Sequence, residues 1–174
     1  MISSVFAVGI AIFTSAIFAH AGYAKLRRPA AYRDIMTTYL GRPVGPWLTV
    51  LVGLVELVSA LLVLMPATRQ VGALGCGVLL LFYGLLMWRQ VQLGRRDLRC
   101  GCSGPAADTR VSGELVARNT VIAIPVLSLA VAGPIELSGP LALLGMALGG
   151  FLLVLYLAAD QIIANRQRLS GWSS

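Results

Sequence analysis

Two cysteines flank a single glycine in the stretch Arg99-Cys100-Gly101-Cys102-Ser103-Gly104-Pro105. A disulfide between them closes only a small, strained ring, and strain makes a disulfide more oxidising and more labile. Gly101 supplies the unusual backbone angles such a ring needs. Arg95, Arg96 and Arg99 stand close by in sequence. Their charge favours thiolate over thiol and raises reactivity. The pattern therefore points to an exposed redox pair. Two other readings stand beside it: a soft-metal site for Cu(I), Zn(II) or Hg(II), and an inert turn. Structural zinc normally takes four ligands, and only Cys100 and Cys102 are near each other in sequence. The third cysteine, Cys76, lies in an apolar run, where a lone cysteine behaves as a small hydrophobe.

Glu56 lies at the centre of another apolar run. A carboxylate there is costly and is expected to face other helices and to have a partner. It can serve as a helix-to-helix hydrogen bond, a proton relay or an anchor for a quinone headgroup. His20, Tyr23 and Lys25 end the first apolar run, and Arg118 and Asn119 open the fourth. All five are expected on the side of Cys100 and Cys102, where they could converge on one polar site, with Asp160 as an ion-pair partner. There is no glycine-rich phosphate loop, no Ser-His-Asp pattern and no paired-histidine haem signature.

The elements that must hold these residues are legible in the composition. Hydrophobic residues make up 57% of the 174 and charged residues 12%, against about 25% charged in a soluble domain. Mean hydropathy is +0.82. One soluble core of this size cannot hide that much apolar surface, and so apolar a chain does not stay disordered. Five runs approach or reach the length that crosses about 30 Å of hydrocarbon: 2–19, 47–65, 71–91, 115–132 and 140–163. Each is expected to be helical, because lipid satisfies no open backbone. The expected fold is all-α: one polytopic membrane bundle over 1–174, with about five transmembrane helices, a short interfacial helix near 29–40 and a redox loop at 92–114. The fourth run is the least regular, with Pro125 in its middle.

The first run has the small-residue triplet Ala19-His20-Ala21 but no Lys or Arg before it, so it reads as a retained anchor and not a cleaved signal. In the helix near 29–40, Tyr32, Ile35, Met36, Tyr39 and Leu40 share one face, with Pro29 as start and Gly41 as stop. Gly145-Met-Ala-Leu-Gly149 is a GxxxG pair suited to close helix packing, within the bundle or in a homodimer through Gly145 and Gly149. Of the 14 Lys and Arg residues, only Arg69 falls outside the first loop, the third loop and the C-terminal tail. By the positive-inside rule these face the cytoplasm, and the N-terminus lies outside. Basic residues between apolar runs suit a lipid surface, and nucleic acid is not expected as a partner.

The Cys100-Gly101-Cys102 loop with Gly104, followed by Arg118-Asn119, resembles MauE, a membrane-protein family of methylamine utilisation. Gly22-Tyr23-Ala24-Lys25-Leu26 with Pro29, and Glu56 in the second span, resemble MauE and its DoxX-like relatives. The resemblance covers most of residues 5–130. It implies a multi-pass protein of the bacterial inner membrane. That protein would exchange disulfides with a thioredoxin-fold, MauD-like partner during maturation of exported proteins, with Cys100 and Cys102 as the redox pair and Glu56, Arg118 and Asn119 in support. The rival readings are a quinone-linked oxidase, in which Glu56 and nearby cations hold the headgroup, a soft-metal transporter and a non-catalytic scaffold. The resemblance implies chemistry on exported proteins, whereas charge places the pair inside. A single cysteine at 100 or 102 should resist a membrane-impermeant maleimide in intact cells and react in inverted vesicles, and Ser138→Cys should do the opposite. Labelling of Cys100 and Cys102 from outside would reverse the orientation.

Overall fold

The computed structural model describes residues 2–95, 98, 110–133 and 139–170. Cys100, Cys102 and Arg99 lie outside these residues, as does Ser138. The described residues form six helices and no strand: α1 (Ile2–Arg27), α2 (Pro29–Leu40), α3 (Pro46–Leu64), α4 (Arg69–Gln92), α5 (Gly113–Val131) and α6 (Gly139–Ser170). All but α2 are long and apolar enough to cross a membrane. Their outer faces carry Leu51, Val58, Leu81, Leu85, Ile124, Phe151 and Val154, all more than 40% exposed. Such a surface belongs in hydrocarbon, and this is a multi-pass membrane protein. Trp47 and Trp88, both largely exposed, mark one end of the bundle, as interfacial tryptophans do.

The helices end where their residues dictate. Pro29 occupies the first turn of α2, and Gly41 ends it at φ 68°, its N–H donating to Thr37 O at 2.9 Å. Only glycine takes that left-handed angle at little cost. Gly94, at φ 72°, ends α4 in the same way, with Arg95 N donating to Gln90 O at 3.0 Å. Pro125 sits inside α5 without ending it. α1 runs on to Arg27 and α6 to Ser170, past the apolar runs that begin them, so both carry polar residues at one end of the bundle.

α1 is the hub, packing against α3, α6, α5, α4 and α2. Without a hydrophobic effect between helices in lipid, close packing must come from small residues. Gly145 and Gly149 of α6 pack on α1: a methyl at Gly145 would strike the Val8 side chain, and one at Gly149 would lie 3.0 Å from Gly9 O. Gly72 and Gly75 of α4 face α3, at Leu62–Val63 and at Ser59, while Gly77 and Gly84 face α5 at Leu127 and Asn119. The apolar core between them holds Ala11, Phe18, Val63, Ala73, Cys76 and Val126. Cys76 is fully buried there, in the place of a small hydrophobe.

Gly72→Ala should be costly, because the new methyl would sit 2.6 Å from the carbonyl carbon of Leu62, and backbone cannot rotate away. A loss of about 1–3 kcal/mol is expected in unfolding from detergent micelles. Gly150→Ala, where a methyl meets nothing within 4 Å, should be neutral or stabilising.

Candidate functional site

The site begins with two helix tetrads, Gly22-x-x-Lys25 on α1 and Gly53-x-x-Glu56 on α3. The helices are antiparallel and touch backbone to backbone. A Cβ on Gly22 would lie 2.7 Å from Gly53 O, and one on Gly53 would lie 3.1 Å from Gly22 O. Each glycine leaves a slot for the other helix's charged residue. The same added Cβ atoms would be 3.2 Å from Glu56 Cβ and 3.2 Å from Lys25 Cβ. The interleaving brings Lys25 Nζ to 2.8 Å from both carboxylate oxygens of Glu56.

This ion pair is almost completely buried, at 7% and 1% side-chain exposure. Tyr83 of α4 donates its hydroxyl to Glu56 Oε1 at 2.6 Å. The Lys25 ammonium also lies 5.3 Å from the centre of the Tyr32 ring of α2 and 5.6 Å from that of Tyr83, within cation–π range. Four helices thus meet at one charge pair. Nearby, Arg118 of α5 forms an ion pair with Asp160 of α6, both side chains nearly buried. Its guanidinium lies 4.7 Å from the centre of the Tyr156 ring, and its Nη2 donates to Asn119 Oδ1 at 3.4 Å.

These groups line one cavity of about 240 Å³. Lys25, Glu56, Arg118 and Asn119 all reach it, and Phe18, Met36, Leu80 and Met87 supply apolar wall. His20 is not there. It is exposed, because five residues from Lys25 is about 140° around a helix. Tyr23 is also exposed and accepts a hydrogen bond from Arg27 Nη1 at 3.2 Å. The sequence reading did not find the Lys25–Glu56 pairing or the role of Tyr83. The signal available was the repeated Gly-x-x-charge tetrad.

The cavity lies toward the end of the bundle at which α4 ends and α5 begins. Tyr39 and Met87 line it and also pack with Val111 and Leu115 in a second apolar cluster that closes it on that side. Gln90 Nε2 holds Tyr39 O at 2.9 Å. Val111 N donates to Leu98 O at 2.8 Å. Gln167 of α6 grips Arg110 through both backbone groups, at 2.8 and 3.0 Å. Both flanks of the Cys100–Cys102 segment are therefore fastened to the helix ends above the cavity.

The sequence model of the MauE family, described as Methylamine utilisation protein MauE, matches residues 3–131. The chain belongs to the MauE family. A relative named Methylamine utilization protein MauE, from Methylophilus methylotrophus, is 29% identical over 160 residues, covering 87% of this chain and 83% of the relative. No solved structure matches. The MauE match takes in α1 to α5 and so Lys25, Glu56, Tyr83, Cys100, Cys102 and Arg118. Tyr156 and Asp160, on α6, lie beyond it.

Tyr83→Phe removes one hydrogen bond to the Glu56 carboxylate and leaves the ring in place. A loss of about 1.5–3 kcal/mol is expected, read from unfolding in mixed micelles. Phe82→Leu, next to it but half exposed, should change stability far less.

Proposed function

We propose that this MauE-family protein is the membrane component of a thiol–disulfide exchange system of the bacterial inner membrane, with Cys100 and Cys102 as its redox pair and a thioredoxin-fold protein as its partner. The observation that carries the reading is the fastening of Leu98, Arg110 and Val111 to the helix ends. It ties the segment bearing the Cys-Gly-Cys motif to the bundle, and a fixed base is what repeated docking of a partner requires. The arginines beside the pair favour thiolate and so the reduced form, and a pair whose reduced form is stabilised is an oxidant.

The exchange balances as follows. A partner thiolate attacks one sulfur of the Cys100–Cys102 disulfide and forms a mixed disulfide, releasing the other cysteine as thiolate. The partner's second thiol then attacks the mixed disulfide. The partner leaves oxidised, and Cys100 and Cys102 carry two electrons as dithiol. The relative's name suggests that the exported client belongs to methylamine utilisation. In this reading the basic residues favour a cytoplasmic C-terminus and cysteine pair. Exchange with a partner outside then needs the reducing equivalents to cross the bundle, whereas the opposite orientation allows direct exchange.

Cys100→Ser and Cys102→Ser should each reduce disulfide transfer to a thioredoxin-fold dithiol at least a hundredfold with the protein level unchanged. One of the two should accumulate the mixed disulfide, visible on non-reducing gels. Cys76→Ser should transfer normally. Full transfer by the Cys100/Cys102 double variant would refute the proposal. Stoichiometric Cu(I) or Hg(II) binding by a pair that performs no exchange would support a soft-metal carrier instead.

A further inference from the structure

The cavity has features that the thiol chemistry alone does not use. Four of the chain's five tyrosines, Tyr32, Tyr39, Tyr83 and Tyr156, line it. Met36 and Met87 add polarizable sulfur, which packs well against ring edges. Its volume of about 240 Å³ exceeds the roughly 150 Å³ of an apolar cavity that accepts benzene. A substituted six-membered ring fits. Phe82 lines the cavity and is half exposed on the outer face of α4, so the space communicates with the lipid-facing surface.

The polar groups select the ligand further. Each cation has its own anion, Lys25 with Glu56 and Arg118 with Asp160. The wall is neutral overall, so a phosphate or carboxylate headgroup would meet no spare positive charge and would carry a desolvation cost. A neutral molecule with hydrogen-bond acceptors meets donors instead. Arg118 Nε is buried and has no acceptor among the described residues, and the Lys25 ammonium, which has a third N–H beside the two that meet Glu56, also lines the cavity. Donors from two helices, α1 and α5, in one tyrosine-lined cavity suit a flat ring that carries two carbonyls.

We propose that this cavity binds the headgroup of a membrane quinone, with one carbonyl toward Arg118 and Asn119, the other toward Lys25, and the isoprenoid tail leaving past Phe82 into lipid. The role rests on the thiol–disulfide reading, because the quinone takes the electrons that the reduced pair holds. Two S–H bonds break and one S–S bond forms. Two electrons and two protons pass to the carbonyl oxygens, and the quinone leaves as hydroquinone. An acceptor dissolved in the bilayer is reachable from either face.

The test separates binding from turnover. The purified protein, with Cys100→Ser and Cys102→Ser so that no thiol chemistry contributes, is incubated with an azido-substituted decylbenzoquinone and irradiated. The labelled peptides are then mapped. Saturable labelling on α3 and α4 is expected, competed by unlabelled decylbenzoquinone and not by phosphatidylglycerol in the same micelles. Val52→Trp and, on another helix, Ile35→Trp fill the cavity lining and should each weaken labelling at least tenfold while the protein keeps a cooperative unfolding transition. If one of them fails to fold, the other stands as the test. Labelling that is unsaturable, that survives both tryptophans in folded protein, or that phosphatidylglycerol abolishes overturns the site. If quinone binds as described but the intact dithiol does not reduce it, the site stands and the electron-transfer role falls.

Discussion

A charge pair inside a membrane bundle has no water to retreat to, and the Lys25–Glu56 bridge dominates the architecture for that reason. Removing each ion from water costs several kcal/mol in order of magnitude, recovered only when geometry and further hydrogen bonds are good. Here both carboxylate oxygens are engaged at 2.8 Å and Tyr83 adds a third bond at 2.6 Å. That geometry requires α1 and α3 to touch at their backbones, which Gly22 and Gly53 permit. It also requires α4 to present Tyr83 and α2 to lay Tyr32 against the ammonium. The positions of four helices follow from one interaction.

A cavity lies beside the pair. α5 and α6 add a second pair, Arg118–Asp160. Between two neutralised pairs lies an aromatic, sulfur-lined cavity. Above it, Tyr39, Met87, Val111 and Leu115 form a lid of packed side chains, to which the flanks of the Cys-Gly-Cys segment are bonded. The polar cluster, the cavity and the apolar cluster of Tyr39, Met87, Val111 and Leu115 adjoin one another. Tyr39 and Met87 belong to both the cavity wall and that cluster.

Much of this was legible in the sequence, for identifiable reasons. Hydropathy reports length and burial in lipid directly, so an all-α bundle of five spans and one short helix could be read from composition and run length. Glu56 could be recognised as needing a partner, because a mid-span carboxylate has no other way to exist. Which residue answers it could not be read. Lys25 lies 31 positions away, and the pairing depends on how two helices cross, which hydropathy does not encode. The Gly-x-x-Lys and Gly-x-x-Glu tetrads carried the information as small residues that set a crossing point. His20 looked equivalent to Lys25 by its place at the end of the first run, but helical rotation turns it outward. The tyrosines were individually unremarkable, and their convergence from α2, α4 and α6 exists only in three dimensions.

The central claim is that Lys25 and Glu56 act as one buried unit on which the bundle depends. A double-mutant cycle on Lys25→Met, Glu56→Leu and the pair together, read by unfolding in mixed micelles, measures this directly. Each single change leaves an uncompensated buried charge and should cost about 3–5 kcal/mol. The double change removes both charges and should recover most of that loss, giving a coupling energy of about 3 kcal/mol or more. Single losses below about 0.5 kcal/mol that simply add in the double variant would contradict the account and return both residues to the solvated surface.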